Sequence, residues 1–375
     1  MKVLHVITGL EVGGAELQLA MLVQRTRHDA EVVALYNAGP VADMIRGAGV
    51  TVLDLGMTRN TEVSALLRLR RIIRSGRYDV VHAHLYRSQI YARPAARLAG
   101  APVVLTTEHS IGETHIERRK MTLGVRGLYL TSELFSDATI AVSDVVRERL
   151  VRWGVSARKI TVIPNGLDID QLAFDPDARA RVRAQFGIEP DTYVIGALGR
   201  LDHIKRVDLT MQAAAPVLGQ NCKILVIGHG ADEARLRAAA ERFGVTDQVI
   251  FGGYQSDTKS MLSAFDLYVS ASEQETFGLS VLEALASGLP VLYTACPALD
   301  GIQTEWARQV EGTAAALGAE IRKEVGAGPR PRTRDAKVFD RYGIAAIAGQ
   351  VDDLYERLAA RRPQRSPAPR ARGER

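Results

Sequence analysis

Four short stretches put chemically useful side chains at the ends of apolar, β-branched runs. Glu275 and Glu283 share the segment Ser272-Glu-Gln-Glu-Thr-Phe-Gly-Leu-Ser-Val-Leu-Glu283. The pattern places Glu275 in the loop after a strand and Glu283 roughly one and a half turns inside the helix opened by Phe277, Gly278 and Leu279. A helix start offers N–H groups without intrahelical partners and a partial positive charge, which suits an anionic diphosphate. Gly278 lets a ligand approach the backbone closely. Two carboxylates above that phosphate would grip hydroxyls, Glu275 on a sugar and Glu283 on a ribose. Taken alone, the same pair also reads as a surface helix residue and a charge that complements the helix dipole.

The segment Gly199-Arg-Leu-Asp-His-Ile-Lys205 follows the first strand of the second half. Ligands bind at strand ends on this edge of a parallel sheet, so Arg200 and Lys205 are expected to face the crevice of residues 275–283. Two fixed cations there neutralise the charge that grows on a departing nucleoside diphosphate, where one stabilising group is typically worth about 2.7–4 kcal/mol. Such a pair also lets the reaction run without a metal. In Gly9-Leu-Glu-Val-Gly13-Gly14-Ala-Glu16, directly after the first strand, Gly13 and Gly14 can bring amides against phosphate. The spacing is not the dinucleotide fingerprint, and a plain tight turn explains it equally well. His109, in Thr106-Thr-Glu-His109-Ser, ends a strand on the same edge and could meet the sugar or an acceptor; a structural histidine is the other reading.

These residues need a scaffold that gathers strand ends, and the rest of the chain supplies one. The 375 residues are about twice a usual domain. Strand-like runs near 2–8, 30–36, 51–55, 79–84, 102–107, 138–142 and 160–163 alternate with helical patterns such as 61–75, 86–99 and 143–153. A second series runs near 193–199, 222–228, 248–252, 266–271 and 290–294, with helices near 205–218, 231–243 and 278–287. This alternation predicts an α/β protein with parallel sheets covered by helices. Pro164-Asn165-Gly166-Leu167-Asp168 separates the two series and marks the hinge. The expected domains are 1–168 and 169–343, followed by a terminal helix over 344–361 and a disordered basic tail, 362–375. Cys222 and Cys296 sit in apolar runs and read as packing thiols.

Several motifs occur in a fixed order: Gly13-Gly14-Ala-Glu16, Asp79-Val-Val-His-Ala-His84, Ala141-Val-Ser143, Val162-Ile-Pro-Asn165-Gly166, Gly199-Arg200…Lys205 and Glu275…Glu283. Together they resemble glycosyltransferase family 4 over about residues 1–295. The resemblance implies a GT-B architecture: two Rossmann-like parallel-sheet domains facing a central cleft. It also implies a nucleotide-sugar donor and retention of anomeric configuration without a metal or other cofactor. It assigns the backbone of Gly14 to the diphosphate, Glu275 to the donor sugar and Glu283 to the ribose. Arg200 and Lys205 fall on the phosphates, His109 on the sugar edge, and the terminal helix crosses back to the first domain. The chain departs from the family after Leu292. Thr294-Ala-Cys-Pro-Ala-Leu-Asp-Gly-Ile302 replaces a double glycine and glutamate, and residues 305–340 are a Glu/Arg/Ala mixture.

Transfer from a UDP-sugar, with a GDP-sugar next, to a glycan, lipid-linked or small-molecule hydroxyl is therefore the expected activity. A nucleotide-sugar epimerase of the same architecture and a non-catalytic sugar-nucleotide-binding protein are the alternatives. A glycosidase would leave the phosphate-directed Arg, Lys and glycines unexplained. Asp168-Ile-Asp170 imitates a metal-binding Asp-x-Asp, but it lies in the hinge, away from the expected cleft. The net charge of +5 conceals an asymmetry: residues 1–170 carry +5, residues 171–360 carry −5 and the last 15 again +5. A basic first half suits a phosphate-bearing acceptor or an anionic membrane surface. Arg68, Arg71 and Arg74 in one helix, with Arg118 and Arg119, are expected to make weak peripheral membrane contact. A solvated face in an Arg-biased sequence is the other reading. No apolar run reaches bilayer-spanning length, no reader motif for nucleic acid is visible, and the expected location is cytoplasmic.

Overall fold

A computed structural model describes residues 1–117 and 119–361. Arg118 and the tail 362–375, on which expectations of membrane contact and disorder fall, lie outside the described residues. The first sheet comprises β1 (Lys2–Ile7), β2 (Asp29–Ala34), β3 (Thr51–Asp54), β4 (Val80–His84) and β5 (Val103–Glu108). A small hairpin, β6 (His115–Ile116) with β7 (Arg119–Lys120), precedes its last two strands, β8 (Ala138–Ala141) and β9 (Ile160–Val162). The strands run in the order β3-β2-β1-β4-β5-β8-β9, all neighbours parallel. The second sheet comprises β10 (Tyr193–Leu198), β11 (Cys222–Ile227), β12 (Val249–Phe251), β13 (Leu267–Ser270), β14 (Val291–Tyr293) and β15 (Ala307–Gln309). Its order is β12-β11-β10-β13-β14-β15, again parallel throughout.

The central strands are buried along their length, β4 (Val-Val-His-Ala-His) completely so. Helices cover both faces, which is why these strands read as near-continuous apolar runs. In each sheet the order reverses beside the first strand, between β1 and β4 and between β10 and β13. A crevice opens outside the carboxyl ends at such a point, and every candidate site residue follows one of these strands or β5.

The chain crosses between the sheets twice at one place. Leu167 N–H donates to the Tyr342 carbonyl at 2.7 Å, and Ile344 N–H donates to the Leu167 carbonyl at 3.0 Å. Gln18, buried in the helix Gly14–Val23, holds both amide groups of Gly166 at 2.8 Å. The helix Ile344–Ala360 then packs Ile347, Val351, Leu354, Tyr355 and Leu358 against Val3, Val80 and Val103 of the first sheet. Its Asp352 accepts from Thr26 Oγ1 at 2.6 Å and Arg27 N at 3.0 Å.

One local expectation fails. The helix expected from 205 starts only at Val207: Asp202 caps a single 3-10 turn, His203–Lys205, and Arg206 takes a left-handed conformation, φ 48°. The atypical segment after Leu292 carries β15 and the helix Ala314–Ala327, capped by Thr313.

Candidate active site

Lys205 and Glu275 are brought together from β10 and β13. The Lys205 ammonium lies 2.6 Å from Glu275 Oε1, with Glu275 nearly buried. Arg200 and Lys205 line one crevice with Ser270 and Ser280. Arg200 itself is exposed and held at its Nε by Asp202 Oδ2 at 2.6 Å.

Beyond Glu275 the chain enters the helix Leu279–Ala286 through Gly278, whose φ of 99° a side chain would resist. A Cβ on Gly278 would also collide with Cys296 Sγ. This glycine therefore serves the packing of the 296–302 loop as well as any ligand. The Phe277 side chain points away from the cleft into the core, edge-on to Tyr342 of the crossing, with ring centroids 5.5 Å apart. Only its backbone stays with the helix start.

Across the cleft the helix Gly14–Val23 begins opposite. A Cβ on Gly14 would meet Leu279 Cδ1 at 3.2 Å, so the two helix starts converge, and the residue at the head of each, Gly13 and Gly278, has no side chain to cap it. Convergent positive helix ends favour an anion between them. Gly13 has a different use: the Glu16 carboxylate occupies the space where its Cβ would stand. Glu283, inside the second helix, is desolvated, which pushes its carboxyl up to about 7.

His109 follows β5 and stands at the end of a buried histidine row. His5 and His82 are register partners on β1 and β4, and His84 follows two residues on along the same face. His5 Nδ1 lies 3.1 Å from His84 Nε2, and His84 Nδ1 lies 3.4 Å from His109 Nε2. Asn165 of the hinge hydrogen-bonds His109, while burial lowers the His109 imidazole to about 4 and keeps it neutral. His82 is occupied on both sides, by Tyr355 Oη and Thr107 Oγ1, each at 2.7 Å. Ligand atoms of His5, His82 and His84 fall within 4.8 Å of one another, a spacing a metal could use. Their nitrogens are nevertheless committed to this hydrogen-bond row, except His5 Nε2, which has no partner. An unpartnered lone pair is less costly than an orphaned N–H. That selects Nδ1–H on His5, His84 and, in turn, His109.

Two bridging residues were not evident from sequence roles. Ser143 caps the helix Asp144–Trp153 by accepting from Val146 N, and its hydroxyl donates to the Thr276 carbonyl at 2.6 Å. Arg149 of that helix, 8% exposed, binds Glu113 at 2.9 Å, the Ile111 carbonyl at 3.1 Å and the Glu275 carbonyl at 3.4 Å. Both hold the 275–278 loop to the first domain. A cap signature marks Ser143, whereas Arg149 looks like any exposed helix arginine in Val-Val-Arg-Glu-Arg-Leu-Val-Arg. A second opening between the domains is lined by Thr114 and His115 on one side and His203, Arg206 and Glu273 on the other.

The surface arginines divide. Arg68 is engaged by Glu62 at 2.7 Å and by the Leu55 carbonyl, so it does not join the outward face expected of it. Arg71 and Arg74 are exposed, and Arg119 stacks over the Tyr86 ring. In the hinge, Asp168 pairs with Arg25 at 2.8 Å and Asp170 with Arg334 at 3.5 Å.

The chain is similar to known proteins in both sequence and fold. The family profile Glycosyltransferase Family 4 matches residues 12–171, and the profile Glycosyl transferases group 1 matches residues 178–322. The chain is 25% identical, over 68% of its own length and 69% of the relative's, to the UDP-Gal:alpha-D-GlcNAc-diphosphoundecaprenol alpha-1,3-galactosyltransferase of Escherichia coli. It is 27% identical, over 81% and 79%, to D-inositol 3-phosphate glycosyltransferase 1 of Catenulispora acidiphila. Among solved structures, Anabaena Alr3699/HepE in complex with UDP-glucose superposes with a TM-score of 0.83 at 20% identity, covering 95% of this chain and all of that one. That likeness establishes the fold, two parallel-sheet domains in the GT-B arrangement.

Proposed function

Because the chain belongs to glycosyltransferase family 4, we propose that this glycosyltransferase moves a sugar with retention of configuration from a nucleotide diphosphate donor. A UDP-sugar is the first choice and a GDP-sugar the second. The acceptor is a hydroxyl of a glycan, a lipid-linked intermediate or a small molecule. The observation that carries the reading is the Lys205–Glu275 pair beside two converging helix starts.

The diphosphate lies between the helix starts at Gly14 and Gly278, with Arg200 and Lys205 on its outer oxygens. Glu283 accepts from the ribose and Glu275 from the sugar. As the anomeric C–O bond breaks, negative charge passes to the leaving phosphate oxygen, where Lys205, Arg200 and the helix start stabilise it. The acceptor hydroxyl attacks the same face, and its proton goes to that phosphate oxygen. Neutral His109, with Asn165 as its hydrogen-bond partner, stands beside the sugar and exchanges no proton. No protein nucleophile takes part. The reading includes no metal: the Asp168 and Asp170 carboxylates face arginines, and the cations supply the charge. We assign the protein to the cytoplasm, with peripheral contact to an anionic surface. Among the described residues no helix is long and apolar enough to cross a membrane.

The test is nucleoside diphosphate release from UDP-, GDP- and ADP-sugars in EDTA, with Glu275→Ala alongside. EDTA-insensitive turnover of one donor, lost in the variant, supports the reading. Turnover that vanishes in EDTA and returns with manganese removes the metal-independent part.

A further inference from the structure

Three helices form one outer layer of the first domain: Val63–Gly76, Tyr86–Ala99 and Leu123–Glu133. Arg70 Nε donates to the Leu98 carbonyl at 3.1 Å, and Arg97 Nε donates to the Phe135 carbonyl at 2.8 Å, which ties the three together. The inward sides carry Ala65, Leu69, Ile73 and Tyr129. The outward sides are also apolar. Leu123 is 86% exposed, Val63 76% and Leu134 74%, and Leu67, Leu98 and Leu128 are each more than half exposed. At 100° per residue, Val63, Leu67, Arg70, Arg71 and Arg74 fall within one outward stripe of their helix. A helix apolar on both its inner and outer sides needs a second apolar environment.

Charge identifies that environment. Of the arginines in these three helices, Arg93 is buried and Arg68 and Arg97 are paired with Glu62 and Asp137, whereas Arg71, Arg74 and Arg126 are exposed; the helices' single acid, Glu133, is buried and paired with Lys159 at 3.2 Å. A neutral or acidic protein partner does not require so one-sided a layer, whereas an anionic bilayer matches both its apolar and its cationic groups. The layer also borders the cleft. The hairpin β6–β7 ends at Lys120, three residues before Leu123, and starts at His115, which lines the opening shared with His203 and Arg206.

We infer that the outer face of these three helices docks on an anionic lipid bilayer, with Leu123, Leu134, Val63 and Leu67 entering the headgroup boundary and Arg71 and Arg74 meeting lipid phosphates. An acceptor anchored in that bilayer reaches the cleft past the hairpin. The acceptor's part rests on the proposed transfer; docking itself is measured without turnover.

The experiment uses the full chain with vesicles of phosphatidylcholine alone and of phosphatidylcholine mixed with phosphatidylglycerol. Three proteins are compared: wild type, Leu123→Glu with Leu134→Glu, and Arg71→Glu with Arg74→Glu. All four positions are exposed, and release of nucleoside diphosphate from the soluble donor, together with the unfolding temperature, reports that the fold is retained. Co-sedimentation with the phosphatidylglycerol vesicles, reduced about tenfold in each double variant and weakened by salt, is the expected result. Wild type that stays in the supernatant, or variants that bind as well as wild type, overturn the inference. So does a wild-type dimer that Leu123→Glu with Leu134→Glu converts to monomer, because the face would then cover a second copy of the chain.

Discussion

The Lys205 ammonium and the Glu275 carboxylate meet at 2.6 Å between the carboxyl ends of β10 and β13. Each is therefore occupied by the other before any donor arrives. A diphosphate entering between the helix starts competes with Glu275 for Lys205, which frees Glu275 to turn to the sugar hydroxyls. The two halves of the pair should therefore respond differently. Glu275→Gln keeps the shape, releases the ammonium and is expected to bind nucleoside diphosphate a few-fold tighter. Turnover falls about 100-fold or more, the usual scale for removing one transition-state contact. Lys205→Ala should lose both affinity and turnover and leave a carboxylate without its cation. Calorimetric binding of UDP and GDP to the two variants, beside their kcat, checks this. Weaker binding by Glu275→Gln would contradict the competition.

His84 touches no substrate in the proposed complex, yet it fixes the ring that does. The row His5–His84–His109 leaves His109 with Nδ1–H and a neutral ring. Because burial lowers His109 to about 4, the imidazole stays neutral above that value. The rate should then show no histidine titration between about pH 5.5 and 8. His84→Phe removes the partner of His109 Nε2 and should lower kcat about tenfold with donor KM nearly unchanged. His84→Gln, able to donate from its amide, should recover part of the loss. A general reduction in folded protein would instead move both constants and the unfolding temperature together.

The elements legible from sequence are those whose physics is local. Central strands buried on both faces are continuous apolar runs, so β1, β4, β10 and β13 stand within a residue or two of their expected places. Arg200 and Glu275 follow from the ends of β10 and β13, and His109 from the end of β5. Lys205 was expected in a helix because Asp202 as a cap and Arg206 in a left-handed turn leave no periodic trace. Strand β15, Ala-Arg-Gln, contains no β-branched residue and is held only by pairing with β14. Arg149 is defined by three partners distant in sequence. The row of histidines needed the register of β1 against β4, which no single segment encodes. The outer face of Leu123–Glu133 escaped because a helix apolar on both sides has no polar stripe.

Glu283 couples nucleotide affinity to pH. Its carboxyl is raised from 4.5 to about 7 by burial, so the folded protein holds this proton more tightly than the unfolded chain. Stability is therefore lost as pH climbs from about 4.5 to 7, and the full cost of the ionised group persists above that range. Glu283→Gln should raise the unfolding temperature by about 2 °C or more at pH 8 and change it little at pH 4. The ionised form is the better acceptor for ribose hydroxyls. Uridine, which carries no phosphate of its own to titrate, should bind wild type more tightly as pH rises through about 7. In Glu283→Gln that dependence should disappear and affinity should fall about tenfold at pH 8.

Gly278 combines two separable requirements, a φ of 99° and the nearness of Cys296 Sγ. The backbone conformation alone costs a residue with a Cβ about 1–2 kcal/mol, and the sulfur collision adds to it. Gly278→Ala should therefore destabilise the protein by more than that range. Cys296→Ala deletes the sulfur and should be mild when made alone. In the double variant the collision is gone but the left-handed backbone remains, so the loss relative to Cys296→Ala should shrink to about 1–2 kcal/mol. Denaturant unfolding of the four proteins measures both parts. The same cycle read with UDP separates packing from binding: the double variant presents a methyl group at the helix start without a sulfur for it to displace, so any residual loss of affinity in it reports on the approach of the diphosphate. A loss of only about 1–2 kcal/mol in Gly278→Ala itself would show that the 296–302 loop yields freely and that the sulfur contact adds nothing.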